Sequence, residues 1–170
     1  LIYRDRMRER YRAASERSPF EYTMLYLTPI EGEGLLILPT HRLVPSRDPF
    51  DPDGFYRALE RYFSLRIFPF EGTGAEQGAR QAFFEALDQQ GQSRYTFGLY
   101  IGGEKRYILL SLREGVRVGE LLRGYPAILQ ELDVAVADGF IVQELFGVQG
   151  EEVGLSKGRK EALDGVRQGG

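Results

Sequence analysis

The sequence predicts an α+β fold: an antiparallel sheet, with a mixed one left open, built from two β-hairpins and carrying helices packed on it. Three observations point there. Tyr95, Phe97, Leu99 and Ile101 alternate as one face of a strand, and Gly102-Gly103 turns the chain back into Lys105–Arg113. Tyr22–Thr28 and Leu35–Pro39 are apolar runs bridged by Glu31-Gly32-Glu33-Gly34, a second hairpin. Around the hairpins the apolar period lengthens from two residues to three or four, as amphipathic helices require.

Taken in order, residues 1–17 set Tyr3, Met7, Tyr11 and Ala14 on one helical stripe, and Ser18-Pro19 stops that helix, because proline pushes the preceding residue out of the helical region. Asp51 as N-cap and Pro52 at the first helical position open a short helix carrying Phe55, Leu59, Tyr62 and Phe63. Leu65–Phe70 reads as a strand held to a sheet edge by Pro69. Thr73 and Glu76 have capping-box spacing, and the helix they open turns Ala79, Phe83 and Leu87 inward before Gly91 ends it. Pro126 opens a further helical stretch, and Leu132–Phe146 places Val134, Ala137, Ile141 and Leu145 on one side, with Gly147 as terminator. Val153–Leu155 reads as a short strand and Arg159–Arg167 as the last helix.

Length and composition bound the function. The chain has 170 residues, enough for one domain over 1–170 that buries roughly 70% of its unfolded surface without a disulfide or metal staple. It contains no Cys and one His, which excludes thiolate chemistry and multi-histidine zinc sites. The net charge of −3 gives no overall attraction for nucleic acid. The longest apolar runs, such as Leu35–Leu38, are far short of the roughly 20 residues of a membrane span. The expectation is a cytoplasmic protein with neither a nucleic-acid nor a membrane partner. Because the chain opens at Leu1 in helical pattern and stops at Gly169-Gly170, the expectation is also that it is the middle of a longer protein.

Four constellations were weighed for chemistry. Gly72-Thr-Gly74-Ala-Glu-Gln-Gly78 lacks dinucleotide-loop spacing, and a capped helix start accounts for it. The carboxylates around Asp51 and Asp53 would put Pro49 where a calcium loop needs its first ligand. Six Arg in residues 1–17 include a stripe at Arg4, Arg8 and Arg12, but Asp5 and Glu9 stand three residues before Arg8 and Arg12, as on a solvated helical face. The fourth, Thr40-His41-Arg42, follows the apolar run Leu35–Pro39, and a strand end is a rigid support for side chains that bind. His41 can serve as acid, base or ligand, and Arg42 can fork onto a carboxylate or phosphate. The plainer alternative is a backbone-bonded His and an Arg paired with an acid. Thr40, His41 and Arg42 are the candidate substrate-binding residues; no catalytic residue and no metal site can be named.

Tyr3-Arg4-Asp5, Tyr22–Leu27, Gly34-Leu-Leu-Ile-Leu-Pro-Thr-His-Arg-Leu-Val44, Phe97-Gly98-Leu99-Tyr100, Leu132-Asp133-Val134 and Lys157-to-Gly169 with Glu161-Ala162 resemble domain-of-unknown-function family 1015 (DUF1015) of bacteria and archaea. The resemblance implies that an Asp-Gly-His-His-Arg segment, similar to the ParB/sulfiredoxin-like group with its nucleotide-binding enzymes and serine kinases, precedes Leu1, and that a C-terminal part follows Gly170. It also implies that relatives often carry His where this chain has Asp138. The function so implied is the central domain of a nucleotide-dependent, small-molecule kinase-like phosphotransferase, using ATP or ADP with Mg²⁺ in the full-length protein and inactive alone. Its partners would be the missing parts of the same protein and a small polar substrate. The alternative is a non-catalytic binding or scaffold module.

Overall fold

The computed structural model describes residues 2–11, 18–22, 40–45, 50–92 and 95–168. The chain forms two compact units, Leu1–Leu38 and Pro39–Gly170. In the first, helix α1 (Ile2–Arg10) is followed by a 3₁₀ turn at Pro19–Glu21. Arg8 forks onto both carboxylate oxygens of Glu21 at 2.6 Å, and Tyr11 stacks on Phe20. The expected strands at Tyr22–Thr28 and Leu35–Pro39, with their connecting turn, fall largely on residues 23–39 and lie outside the described residues.

The second unit contains β1 (His41–Leu43), α2 (Pro52–Glu60), β2 (Phe63–Pro69), α3 (Gly72–Gln90), β3 (Thr96–Leu99) and β4 (Arg106–Leu112). Then follow α4 (Val118–Leu121), α5 (Ala127–Gln130) and α6 (Asp133–Ala135), which runs on as a π-helix over Val136–Leu145. A 3₁₀ turn at Gly150–Glu152, β5 (Gly154–Ser156) and α7 (Arg159–Arg167) complete it. The fold is α+β, as expected. Every described strand pair is antiparallel: a three-stranded sheet in the order β2-β4-β3 and a two-stranded ribbon of β1 and β5.

β4 explains the core. As the central strand it is buried on both faces, so its sequence is apolar without alternation. Ile108, Leu110 and Leu112 pack with Phe55, Leu59, Phe63, Val136 and Phe140 on one face. Tyr107 and Leu109 pack with Phe68, Phe83, Ala86 and Leu163 on the other. Each such side chain removed from water contributes about 1.5–3 kcal/mol. The expected edge strand carrying Pro69 is at the edge, as β2, and the β3–β4 hairpin turns through Gly103 at φ +83°.

Three local expectations are corrected. Phe63 is the first residue of β2 and not part of the preceding helix, because the sheet ladder opposite Leu112 claims it. The capping box at Thr73 and Glu76 does not open α3: the helix begins at Gly72, and the Glu76 carboxylate accepts hydrogen bonds from the Tyr107 hydroxyl, at 2.7 Å, and from Arg167. The Tyr107 ring is wholly buried, so its hydroxyl must find an acceptor, and that demand outweighs a cap. Burial and the Glu76 partner push the Tyr107 hydroxyl up to about 12. In the third case, the expected inward face of Leu132–Phe146 holds only in part: Ile141 and Leu145 pack against the core but are not its most buried members. The buried residues are Val136, Phe140 and Val142, while Val134 is 38% exposed, because the wider π turn breaks the 3.6-residue period on which that expectation rests.

Candidate functional site

A cleft of about 700 Å³ opens in the second unit. Its walls bring together His41 of β1, Asp88 near the end of α3, Thr96 at the start of β3, Glu131 just after α5, Asp133 at the start of α6, and Arg159 at the start of α7. Tyr95 braces one wall by donating its hydroxyl to the Gln130 carbonyl at 3.3 Å.

Of the three sequence-predicted site residues, His41 lines the cleft; Thr40 and Arg42 are not among its lining residues. Strand alternation explains the split, since neighbours on β1 face opposite ways. Arg42 forks onto Asp138, Nε to Oδ1 at 2.7 Å and Nη2 to Oδ2 at 2.8 Å, and donates also to the Thr40 carbonyl. The Arg42 side chain is 19% exposed and that of Asp138 43%, so the pair is half-buried, with its acidic end open to water. The cation facing the cleft is Arg159. It forks onto Asp88 and lies over the Phe84 ring, 4.7 Å from its centroid. That hydrogen-bonded guanidinium holds the Asp88 carboxyl below the usual carboxylate range.

Two polar atoms stand out. Nε2 of His41 and Oγ1 of Thr96 are buried with no hydrogen-bond partner among the described residues. An unpaired buried donor or acceptor costs about 1–3 kcal/mol, which a bound group can recover. Burial, then the charges of Arg159 and Arg42, push the His41 imidazole below its ordinary value, so it is neutral at pH 7.

A pH effect follows. The folded value of His41 lies below 6.5, so as pH falls the unfolded chain takes up the proton first. Its contribution to stability is full above about 6.5 and is lost as pH drops from there to the folded value. The chain holds a single His, so thermal melts at pH 7.5 and 5.5 should show a loss that His41→Gln reduces. An equal loss in both proteins would contradict this account.

Thr96, Asp88 and Arg159 were not singled out in the sequence. Arg159 was legible as the opening residue of the last helix, but its pairing with Asp88 across 71 positions carries no local signal. Among the described residues no group of His, Asp and Glu is arranged to hold a metal ion, and no helix is long and apolar enough to cross a membrane.

Fold and site together define an α+β protein with a cleft of mixed apolar and charged lining, walled by the β1 strand, the end of α3 and the start of α7. The chain belongs to the family described as "Protein of unknown function (DUF1015)", whose family model matches residues 1–135. His41, Asp88, Thr96, Glu131 and Asp133 fall inside the matched span, and Arg159 falls beyond it. No curated protein and no solved structure matches the chain.

Proposed function

We propose that this chain supplies the acceptor-substrate cleft of a nucleotide-dependent, small-molecule phosphotransferase-like protein, binding substrate without turning it over alone. The observation that carries the reading is His41, a neutral imidazole with an unpartnered Nε2 in the cleft wall. Rotation of the ring about its Cβ–Cγ bond would present that nitrogen to a ligand. It would then accept the proton of a substrate hydroxyl as that oxygen bonds to the terminal phosphorus of a nucleoside triphosphate. The phosphorus–oxygen bond to the nucleotide breaks, the nucleoside diphosphate leaves, and the proton passes from His41 to water. Arg159 adds positive charge beside the reacting oxygens. Thr40 and Arg42 take part by shaping β1.

Charge narrows the substrate. Asp88, Glu131 and Asp133 stand against one guanidinium, so the cleft repels bare phosphates and suits a hydroxyl compound that also carries an ammonium. The nucleotide, its phosphates neutralised by Mg²⁺, would be held beside the cleft so that only its terminal phosphate reaches the substrate hydroxyl. The test uses the one imidazole signal of the chain in NMR. Ethanolamine at millimolar concentration should shift it, and Mg²⁺–ATP or Mg²⁺–ADP alone should not. A signal unmoved by ethanolamine would remove the reading.

A second reading, a non-catalytic binding or scaffold module, is favoured by one observation. Ile128, Leu129, Leu132 and Val134 form a short run of apolar residues, 76%, 40%, 46% and 38% exposed. In that reading a charge at Ile128, and not a change at His41, abolishes binding.

A further inference from the structure

We infer that Asp138, acting through Arg42, is a positioning residue that holds the two facing walls of the cleft in register. The inference deepens the proposed reading of the cleft as a binding site. One wall is β1, which carries His41; the other is the Glu131–Asp133 segment leading through α6 into the π-helix. Asp138 stands in the first turn of that π-helix, and Arg42 is the residue next to His41. Their forked pair therefore ties β1 to the π-helix into which the other wall runs, although 96 positions separate the partners in sequence.

β1 needs such a tether. It has three residues and pairs, among the described strands, only with the equally short β5. A two-stranded ribbon of this length is marginal by itself in water; α7 packs on it at Leu43, and the Arg42–Asp138 pair ties it to the π-helix. A single hydrogen bond would leave the strand free to pivot, whereas two parallel bonds between a planar guanidinium and a carboxylate fix angle as well as distance. On the other side the anchor point is itself unusual, because π-helices are rare and recur at functional sites. The charged groups around His41 are Arg159 from α7, Asp88 from α3 and Glu131 and Asp133 from the opposite wall, while Arg42, on the other side of its own strand, adds its charge from behind. The charges that depress its titration are those of Arg159 and Arg42, so Asp138 acts on it only by way of Arg42.

The test is Asp138→Asn in the full 170-residue chain, with the His41 titration followed by NMR and no ligand present. The substitution keeps the Arg42 charge and removes only the ionic fork. Burial is the chief cause of the lowered His41 value, so a strand loosened by the change should let that value rise toward 6.5. Asp138→Glu, which keeps the charge, should return part of the shift. Arg42→Lys keeps the positive charge but loses the fork, and should raise the value as Asp138→Asn does; it serves if the Asn chain does not fold. A His41 titration unchanged, or moved further down, in the folded variants would make the pair an ordinary structural ion pair and overturn the inference. Because the readout uses no ligand, a chain that fails to bind ethanolamine would remove the proposed function and leave this result standing.

Discussion

Replacing Phe63 by Ala should lower the unfolding free energy by about 3–5 kcal/mol. The ring is wholly buried where β2, β3 and the π-helix meet, edge-on to Phe97 with centroids 6.1 Å apart and tilted on Phe140 at 6.4 Å. Truncation removes the transfer energy of the ring and leaves a cavity between three elements that cannot all close in on it. Ile67 sits four residues along the same strand and is 48% exposed. Ile67→Ala should stay within about 0.5 kcal/mol of the parent, as surface changes generally do. Urea unfolding of the two variants side by side checks the contrast. A loss below about 1 kcal/mol at Phe63 would mean that the packing around it is not as described.

The Gly98→Ala exchange should also destabilise, by about 1–3 kcal/mol, where strand preference alone would give a gain of about 0.5–1 kcal/mol. A Cβ at this position would lie 2.5 Å from Cζ and 3.3 Å from Cε2 of Phe83. That ring has nowhere to retreat: it is 4% exposed, stacks on Tyr107 at 5.3 Å, and meets Phe68 edge-on at 5.8 Å. The glycine in Phe97-Gly98-Leu99-Tyr100 is thus a gap that the α3 side chain fills from below. A urea midpoint unchanged or raised by the substitution would show that the ring moves aside.

The local signals in the sequence were strong where one element decides its own conformation. Proline marks the first residue of α2, alternation places β3 to within two residues at each end, and α7 lies where it is expected. They failed where a distant partner decides. Glu76 has capping-box spacing but answers to Tyr107 and Arg167, and Phe63 has a helical position but answers to Leu112. The inward face of the 132–146 stretch is legible at Ile141 and Leu145 but not at Val136 and Phe140, because a π-helix has the same residue types as an α-helix and a different period. The site divides the same way. His41 could be nominated because a lone His at a strand end has few neighbours to compare with it. Arg42, beside it, could not be separated into ligand or anchor without knowing that Asp138 would stand opposite. Asp88 and Arg159 had nothing to single them out, being one acid and one base among 25 and 22.

The ribbon of β1 and β5 has a further consequence, in the order of assembly. His41 lies opposite Ser156, so the ribbon closes only when nearly the whole second unit has been threaded between its strands. The β3–β4 hairpin closes across a turn at Gly102-Gly103, and loop-closure entropy favours such local pairings early. The sheet around β4 can therefore be complete while the His41 wall is still open. The His41 wall of the cleft is then the last part of the second unit to form and the first to open, and a ligand held there, as proposed, would act on a small local equilibrium that leaves the buried core undisturbed.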